Sequence, residues 1–152
     1  MSKKENFYTL VYEKNSKDIK DPNRAHSCDS GMDIFSPETF KLSSLERKTI
    51  NTGIKFNIPQ HKEFTIELQV RPKSGMSAKG LEVSLGTIDN QYTGNVHVTI
   101  VNFSNVDVLI ERGQKIAQIV MAPVITNFHL FAGKVEESPT RGSGGLGSTG
   151  AF

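Results

Sequence analysis

Apolar and polar residues alternate with a period of two along several short stretches of the chain. Phe64, Ile66, Leu68 and Val70 alternate with Thr65, Glu67, Gln69 and Arg71, the pattern of a strand with one buried face. Ile54, Phe56 and Ile58 alternate with Lys55 and Asn57 until Pro59 ends the run. Val96, Val98 and Ile100 alternate with His97 and Thr99, and Val106, Val108 and Ile110 form a further set. Ile116, Gln118 and Val120 alternate with Ala117, Ile119 and Met121. Both faces of that last segment are nearly apolar, which predicts a strand covered on both sides. No window carries a sustained 3.6-residue period, and only a single helical turn is expected, near Ser74–Lys79. Turn signals recur at Asp21-Pro22-Asn23, Ser36-Pro37, Asn51-Thr52-Gly53, Tyr92-Thr93-Gly94 and Glu111-Arg112-Gly113. Short strands with close turns predict an all-β sandwich, jelly roll or barrel. The 34 Val, Ile and Thr against 15 Ala and Leu agree.

The 152 residues amount to one domain. Leu, Ile, Val and Phe together number 41, enough for a folded core rather than a disordered chain. Net charge is +2, with basic residues scattered apart from a mild N-terminal lysine excess. A nucleic-acid partner needs a concentrated basic stripe, so none is expected. The single cysteine, Cys28, excludes an internal disulfide and a cysteine-built metal site, and fits a reducing compartment. The N-terminus has no signal-like apolar stretch. The longest apolar run, from Ile119 to Ile125, is seven residues and contains Pro123, whereas a membrane helix needs about 20. No membrane association is expected, and the location expected is cytoplasmic.

Residues 141–150, RGSGGLGSTG, hold five glycines, two serines and a threonine, too few apolar groups to order alone. The segment opens with Arg141, a fork-shaped anion donor, and glycine-rich backbone presents free N–H groups that can wrap phosphates. The expected division is a β domain over 1–135 and a flexible C-terminal arm over 136–152.

Five polar, glycine-marked segments punctuate the strands. They are Ser30-Gly31-Met32-Asp33; Arg71-Pro72-Lys73-Ser74-Gly75-Met76-Ser77; Gly86-Thr87-Ile88-Asp89-Asn90-Gln91-Tyr92-Thr93-Gly94; Gly113-Gln114-Lys115-Ile116-Ala117-Gln118; and the tail. Each alone is weak. In this order they resemble the five motifs of the trimeric deoxyuridine triphosphatases (dUTPases), over about Cys28 to Gly150.

The resemblance implies a distorted jelly-roll, β-clip domain. Three copies would form a homotrimer with sites at subunit interfaces and the arm closing over one of them. It implies Mg²⁺-dependent hydrolysis of dUTP to dUMP and pyrophosphate, which limits uracil in DNA and supplies dUMP for dTMP synthesis. Asp89 matches the carboxylate that activates the attacking water, which must lie within hydrogen-bond reach of it. The third motif matches the uracil and sugar pocket. Main-chain groups around Gly86 and Ile88 would read the uracil edge, and a cytosine there would leave buried polar groups unpaired. Tyr92 matches the ring packed under the deoxyribose. Lys73, Ser74, Gly75 and Gln118 match phosphate contacts, and Arg141 the γ-phosphate clamp. Leu146, Gly147 and Ser148 match the part of the arm that covers the substrate, with Thr149 as a further donor. Asp33 matches the first-motif acid near the water shell of Mg²⁺, an ion that binds mainly through substrate phosphates.

Four positions depart from the family pattern. Lys73 stands where Arg is usual and loses the bidentate fork. Lys115 also replaces a frequent Arg, with a structural or ion-pairing role expected. Leu146 replaces an aromatic that stacks on uracil, and Val83 a frequent Asn. A related deaminase acting on dCTP needs a glutamate on the strand after the third motif, and His97–Asn102 contains no acid. A trimer that kept the fold as a binding protein but lost turnover would lack Asp89, Tyr92 or Arg141, and all three are present.

Overall fold

A computed structural model describes residues 8–143 and 145. Eleven strands and one helical turn follow in order. They are β1 (Val11–Lys14), β2 (Gly31–Phe35), β3 (Phe40–Leu42), β4 (Arg47–Asn51), β5 (Ile54–Asn57), β6 (Thr65–Arg71), α1 (Ser74–Ser77), β7 (Leu81–Val83), β8 (Gly86–Ile88), β9 (His97–Asn102), β10 (Val108–Ile110) and β11 (Lys115–Val124). Every pairing between strands is antiparallel. The sheets run β2-β11-β6-β8, β4-β9-β7, β10-β3 and β1-β5. The fold is all-β, of the jelly-roll type.

One hydrophobic cluster joins all four sheets, with Ile34, Leu42, Ile54, Leu68, Ile100, Ile110, Ile116 and Ile119 at its fully buried centre. β6 follows its alternation, with Ile66, Leu68 and Val70 inward. β11 is paired on both sides, with β2 and with β6. Its alternation breaks at a bulge, where the register steps from Lys115 opposite Phe35 to Ala117 opposite Ile34. The extra residue lets Ile116 and Ala117 both be buried. The strand expected around Val106–Ile110 starts at Val108, and Val106 itself is exposed. The helical turn falls where the pattern placed it, with Ser77 N–H donating to Lys73 O at 3.0 Å.

The last strand ends at Val124, and residues 125–139 have no regular secondary structure. Along them Ile125, Phe128, Leu130, Phe131 and Val135 are exposed. Among the described residues no helix is long and apolar enough to cross a membrane.

Candidate active site

Two open clefts carry the chemistry-bearing segments. The third motif builds the first, of about 290 Å³, between Gly86, Ile88, Asp89, Tyr92, Asn95 and His97. β8 delivers it: Gly86 lies opposite Val70 and Ile88 opposite Leu68, so the chain leaves the sheet edge at Asp89. The turn that follows is closed by Tyr92 N–H donating to Asp89 O at 3.0 Å. Asp89 is exposed at its mouth. The Tyr92 ring folds back so that its hydroxyl donates to Asn95 O at 3.1 Å. That fold-back needs Gly94, because a Cβ there would stand 2.4 Å from the Tyr92 Oη and 2.6 Å from its Cζ.

The second cleft, of about 470 Å³, is built by the first, second and fourth motifs, which bring Gly31, Asp33, Lys73, Ser74, Lys115 and Gln118 together with His26 and Asp29. Antiparallel pairing of β2 with β11 sets Asp33 opposite Gln118, and pairing of β11 with β6 sets Gln118 opposite Arg71, at the entry to α1. Gln118 Nε2 donates to Pro72 O at 2.9 Å. Its amide lies where a side chain at position 31 would be: a Cβ on Gly31 would meet Gln118 Oε1 at 2.3 Å and Cβ at 3.0 Å. The first-motif glycine therefore makes room for the fourth-motif glutamine.

Asp33 is the electrostatic centre of this cleft. Its side chain is 8% exposed, with Lys73 Nζ on one oxygen and Lys115 Nζ on the other at 2.7 Å. Burial pushes its carboxyl up, but hydrogen bonds from Lys115 and Lys73 outweigh that and hold it below its ordinary value. Lys73 and Lys115 bring two ammonium groups into a cleft that Asp33 and Asp29 also line, so its formal charges balance and the two ammonium groups are its charged anion donors. Both oxygens of Asp33 are engaged, so a metal ion would meet this acid only through water or after a lysine moves. Among the described residues no three His, Cys, Asp or Glu side chains gather as a metal site. Such a donor set fits an ion held by a ligand's phosphates rather than a protein cage.

Ser74 and Gly75 form the exposed start of α1, with open space where a Gly75 Cβ would be. Arg141 is exposed and lines neither cleft, its N–H donating to Ser138 Oγ at 3.3 Å. Leu146, Gly147, Ser148 and Thr149 lie outside the described residues. The two clefts share no lining residue. Sequence reasoning gave no site role to Asn95 of the first cleft or to His26 and Asp29 of the second. Asn95 Oδ1 is buried there with no hydrogen-bond partner. Its position beside Gly94, within two residues of the motif, was the available signal.

The dUTPase family model matches residues 17–150. The deoxyuridine 5'-triphosphate nucleotidohydrolase of Clostridium novyi strain NT is 40% identical over 149 residues, spanning 93% of this chain and 98% of that protein. Among solved structures, the Staphylococcus bacteriophage 80alpha dUTPase with dUPNHPP superposes with a TM-score of 0.83 at 29% identity, over 93% of this chain and 98% of that one. The D95N mutant dUTPase of S. aureus phage phi11, whose structure describes coordination of a structural Mg(II) ion, has a TM-score of 0.72 at 27% identity, over 87% and 99% of the two chains. Motif order, fold and extended similarity agree, and the chain belongs to the dUTPase family.

Proposed function

We propose that the protein hydrolyses dUTP to dUMP and pyrophosphate. The observation that carries this reading is the pair of clefts: one is a hairpin pocket lined by the Asp89 carboxylate, the other gathers the Lys73 and Lys115 ammonium groups with Ser74 and Gln118. Main-chain groups of Gly86 and Ile88 hold the uracil edge, and the Tyr92 ring packs under the deoxyribose, where it leaves no room for a 2'-hydroxyl. The phosphate chain lies against Ser74, the Gly75 N–H, Gln118 and the Lys73 ammonium. Arg141, with Leu146, Gly147 and Ser148, closes over it.

Asp89 orients a water in line with the α-phosphorus and takes its proton. The water oxygen bonds to that phosphorus, the bond to the bridging oxygen breaks, and pyrophosphate leaves. Mg²⁺ would be held mainly by the substrate phosphates, with Asp33 as the acid near its water shell, and would supply charge neutralisation. Lys73, Ser74, Gln118 and Arg141 bear the rest of the developing charge, the main demand of phosphoryl transfer. Asp33 here also aims the two lysines at the cleft, offsetting the missing arginine fork at position 73.

A homotrimer completes this site. The clefts are separate within one chain, and the exposed apolar residues from Ile125 to Val135 form a surface of the kind that partners cover. The low cysteine content supports a cytoplasmic enzyme, with dUTP as its substrate and no nucleic-acid or membrane partner.

The test is pyrophosphate release from dUTP, dCTP, dTTP and UTP, with and without Mg²⁺. Release from dUTP alone, dependent on the ion, is expected. Ammonia from dCTP would overturn the assignment. Asp89→Ala is expected to bind dUTP and to lose turnover by about 10²–10⁴-fold; retained turnover would remove Asp89 from the mechanism.

A further inference from the structure

The turn that presents Asp89 begins where β8 ends. Past Ile88 no backbone ladder supports it. In the register that sets Leu68 opposite Ile88, position 90 would lie opposite Ile66. Asn90 fills that rung with its side chain: Nδ2 donates to Ile66 O at 2.9 Å and to Pro59 O at 3.3 Å, and Oδ1 accepts from Gln60 Nε2. The carboxamide thus ties the turn to the end of β6 and to the Pro59–Gln60 loop.

The turn needs such a tether. Gln91, the next residue, has φ +71°, a left-handed conformation that costs a residue with a Cβ and that glycine adopts freely. Left to itself, Gln91 would relax to negative φ, and the Asp89–Tyr92 turn would open. The carboxylate and the ring would leave their places together. Among the described residues the turn's own backbone is closed by a single bond, from Tyr92 N–H to Asp89 O, so the Asn90 side chain is its other anchor.

We infer that Asn90 is a positioning residue that holds the Asp89 carboxylate and the Tyr92 ring over the first cleft, acting against the strain at Gln91. This rests on the reading of Asp89 as the water-activating group. The tether is a different device from the ladder that shapes β8, and it sets geometry rather than touching substrate.

The experiment compares Asn90→Ala, Gln60→Ala, Gln91→Gly and the double variant Asn90→Ala/Gln91→Gly in single-turnover hydrolysis of dUTP, with KM measured in parallel. A displacement on the order of 1 Å at a reacting group costs about 10²-fold in rate. Asn90→Ala is expected to lose about 10- to 100-fold in kcat, with a smaller rise in KM as the Tyr92 ring shifts under the sugar. Gln60→Ala, which removes one of three anchors, is expected to lose a smaller factor. The decisive result is the double variant: glycine at 91 removes the strain the tether opposes, so most of the lost rate returns although the tether is still absent. A merely structural role for Asn90 would instead lower the melting temperature and leave kcat per folded site unchanged. Wild-type kcat in Asn90→Ala, or a loss that Gln91→Gly leaves unchanged, overturns the inference. If Asn90→Ala does not fold, unchanged kcat in Gln60→Ala overturns it. Full turnover in Asp89→Ala would instead sink the mechanism on which it rests, so the two failures are separable.

Discussion

Replacing Gly31 by alanine tests how the second cleft is built. The added Cβ would stand 2.3 Å from Gln118 Oε1, 2.9 Å from Cδ and 3.0 Å from Cβ. The amide end can swing away, but Gln118 Cβ is fixed by a strand paired on both sides. Relief therefore comes by turning the amide out and by a small shift of β2 against β11. Turning the amide out breaks its bond to Pro72 O, at about 0.5–1.5 kcal/mol. The residual overlap adds about 1–3 kcal/mol, as for other overpacked sites. Gly31→Ala is thus expected to destabilise by about 2–4 kcal/mol, read as a shift of the urea midpoint at constant slope. Pyrophosphate release should fall as well, because the glutamine no longer faces the phosphates. In Gly31→Ala/Gln118→Ala the clash is largely gone, so much of the stability returns while turnover stays low. The two substitutions should be strongly non-additive in stability, as for residues in contact. Additive stability losses, or wild-type turnover in Gly31→Ala, would refute the argument that this glycine exists to seat Gln118.

Other expectations follow from single contacts. Because the carboxyl of Asp33 is held below its ordinary value by Lys115 and Lys73, its stabilisation is present above the unfolded carboxylate range of about 3.9 and is lost as pH falls through the lower folded value. Asp33→Asn should flatten that acid limb in thermal melts at low pH and cost about 1–3 kcal/mol at neutral pH; an unchanged acid limb would show that the ion triad contributes nothing. Asn102, 0% exposed, donates through Nδ2 to the carbonyls of Leu42, Ser43 and Val106, and its Oδ1 accepts from Ser104 N and Oγ. Asn102→Ala should destabilise by about 2–4 kcal/mol in urea denaturation, since buried carbonyls lose their donor. Gly94→Ala should swing Tyr92 off its bond to Asn95 O with little change in melting temperature, as Tyr92 is 45% exposed. Its measurable effect should be a fall of about tenfold in the preference for dUTP over UTP.

The alternating strands were legible because each buries one face. β6, β5 and β9 show a clean period of two, and the structure turns those apolar residues inward. Strands without that signature went unseen. β2 is buried at four of its five residues, so it has no polar phase to alternate with. β4, Arg47–Asn51, buries only Ile50, and a single apolar residue has no period. β3, β7 and β8 are three residues each, shorter than any window that reveals periodicity. The bulge in β11 was hidden for a different reason: Ile116 and Ala117 are both apolar, and only the register with Phe35 and Ile34 shows the phase slip.

The chain's own order of residues determined the fold class, the helical turn after β6 and the family, because these depend on local patterns and on motifs at fixed spacing. Which motif meets which was decided only in three dimensions. Asp33 is 40 residues from Lys73 in sequence, and pairing of β2 and β6 on either side of β11 brings them into contact. The same pairing places a Gln118 amide against Gly31, so a glycine that reads as a turn residue serves as the space for a side chain far along the chain. Asn90 reads as an ordinary turn residue. Its role as a rung to Ile66 exists only because β8 runs antiparallel to β6 and stops one residue before Asp89. Side-chain pairing across a sheet depends on register, and register is a property of the assembled strands rather than of any one of them.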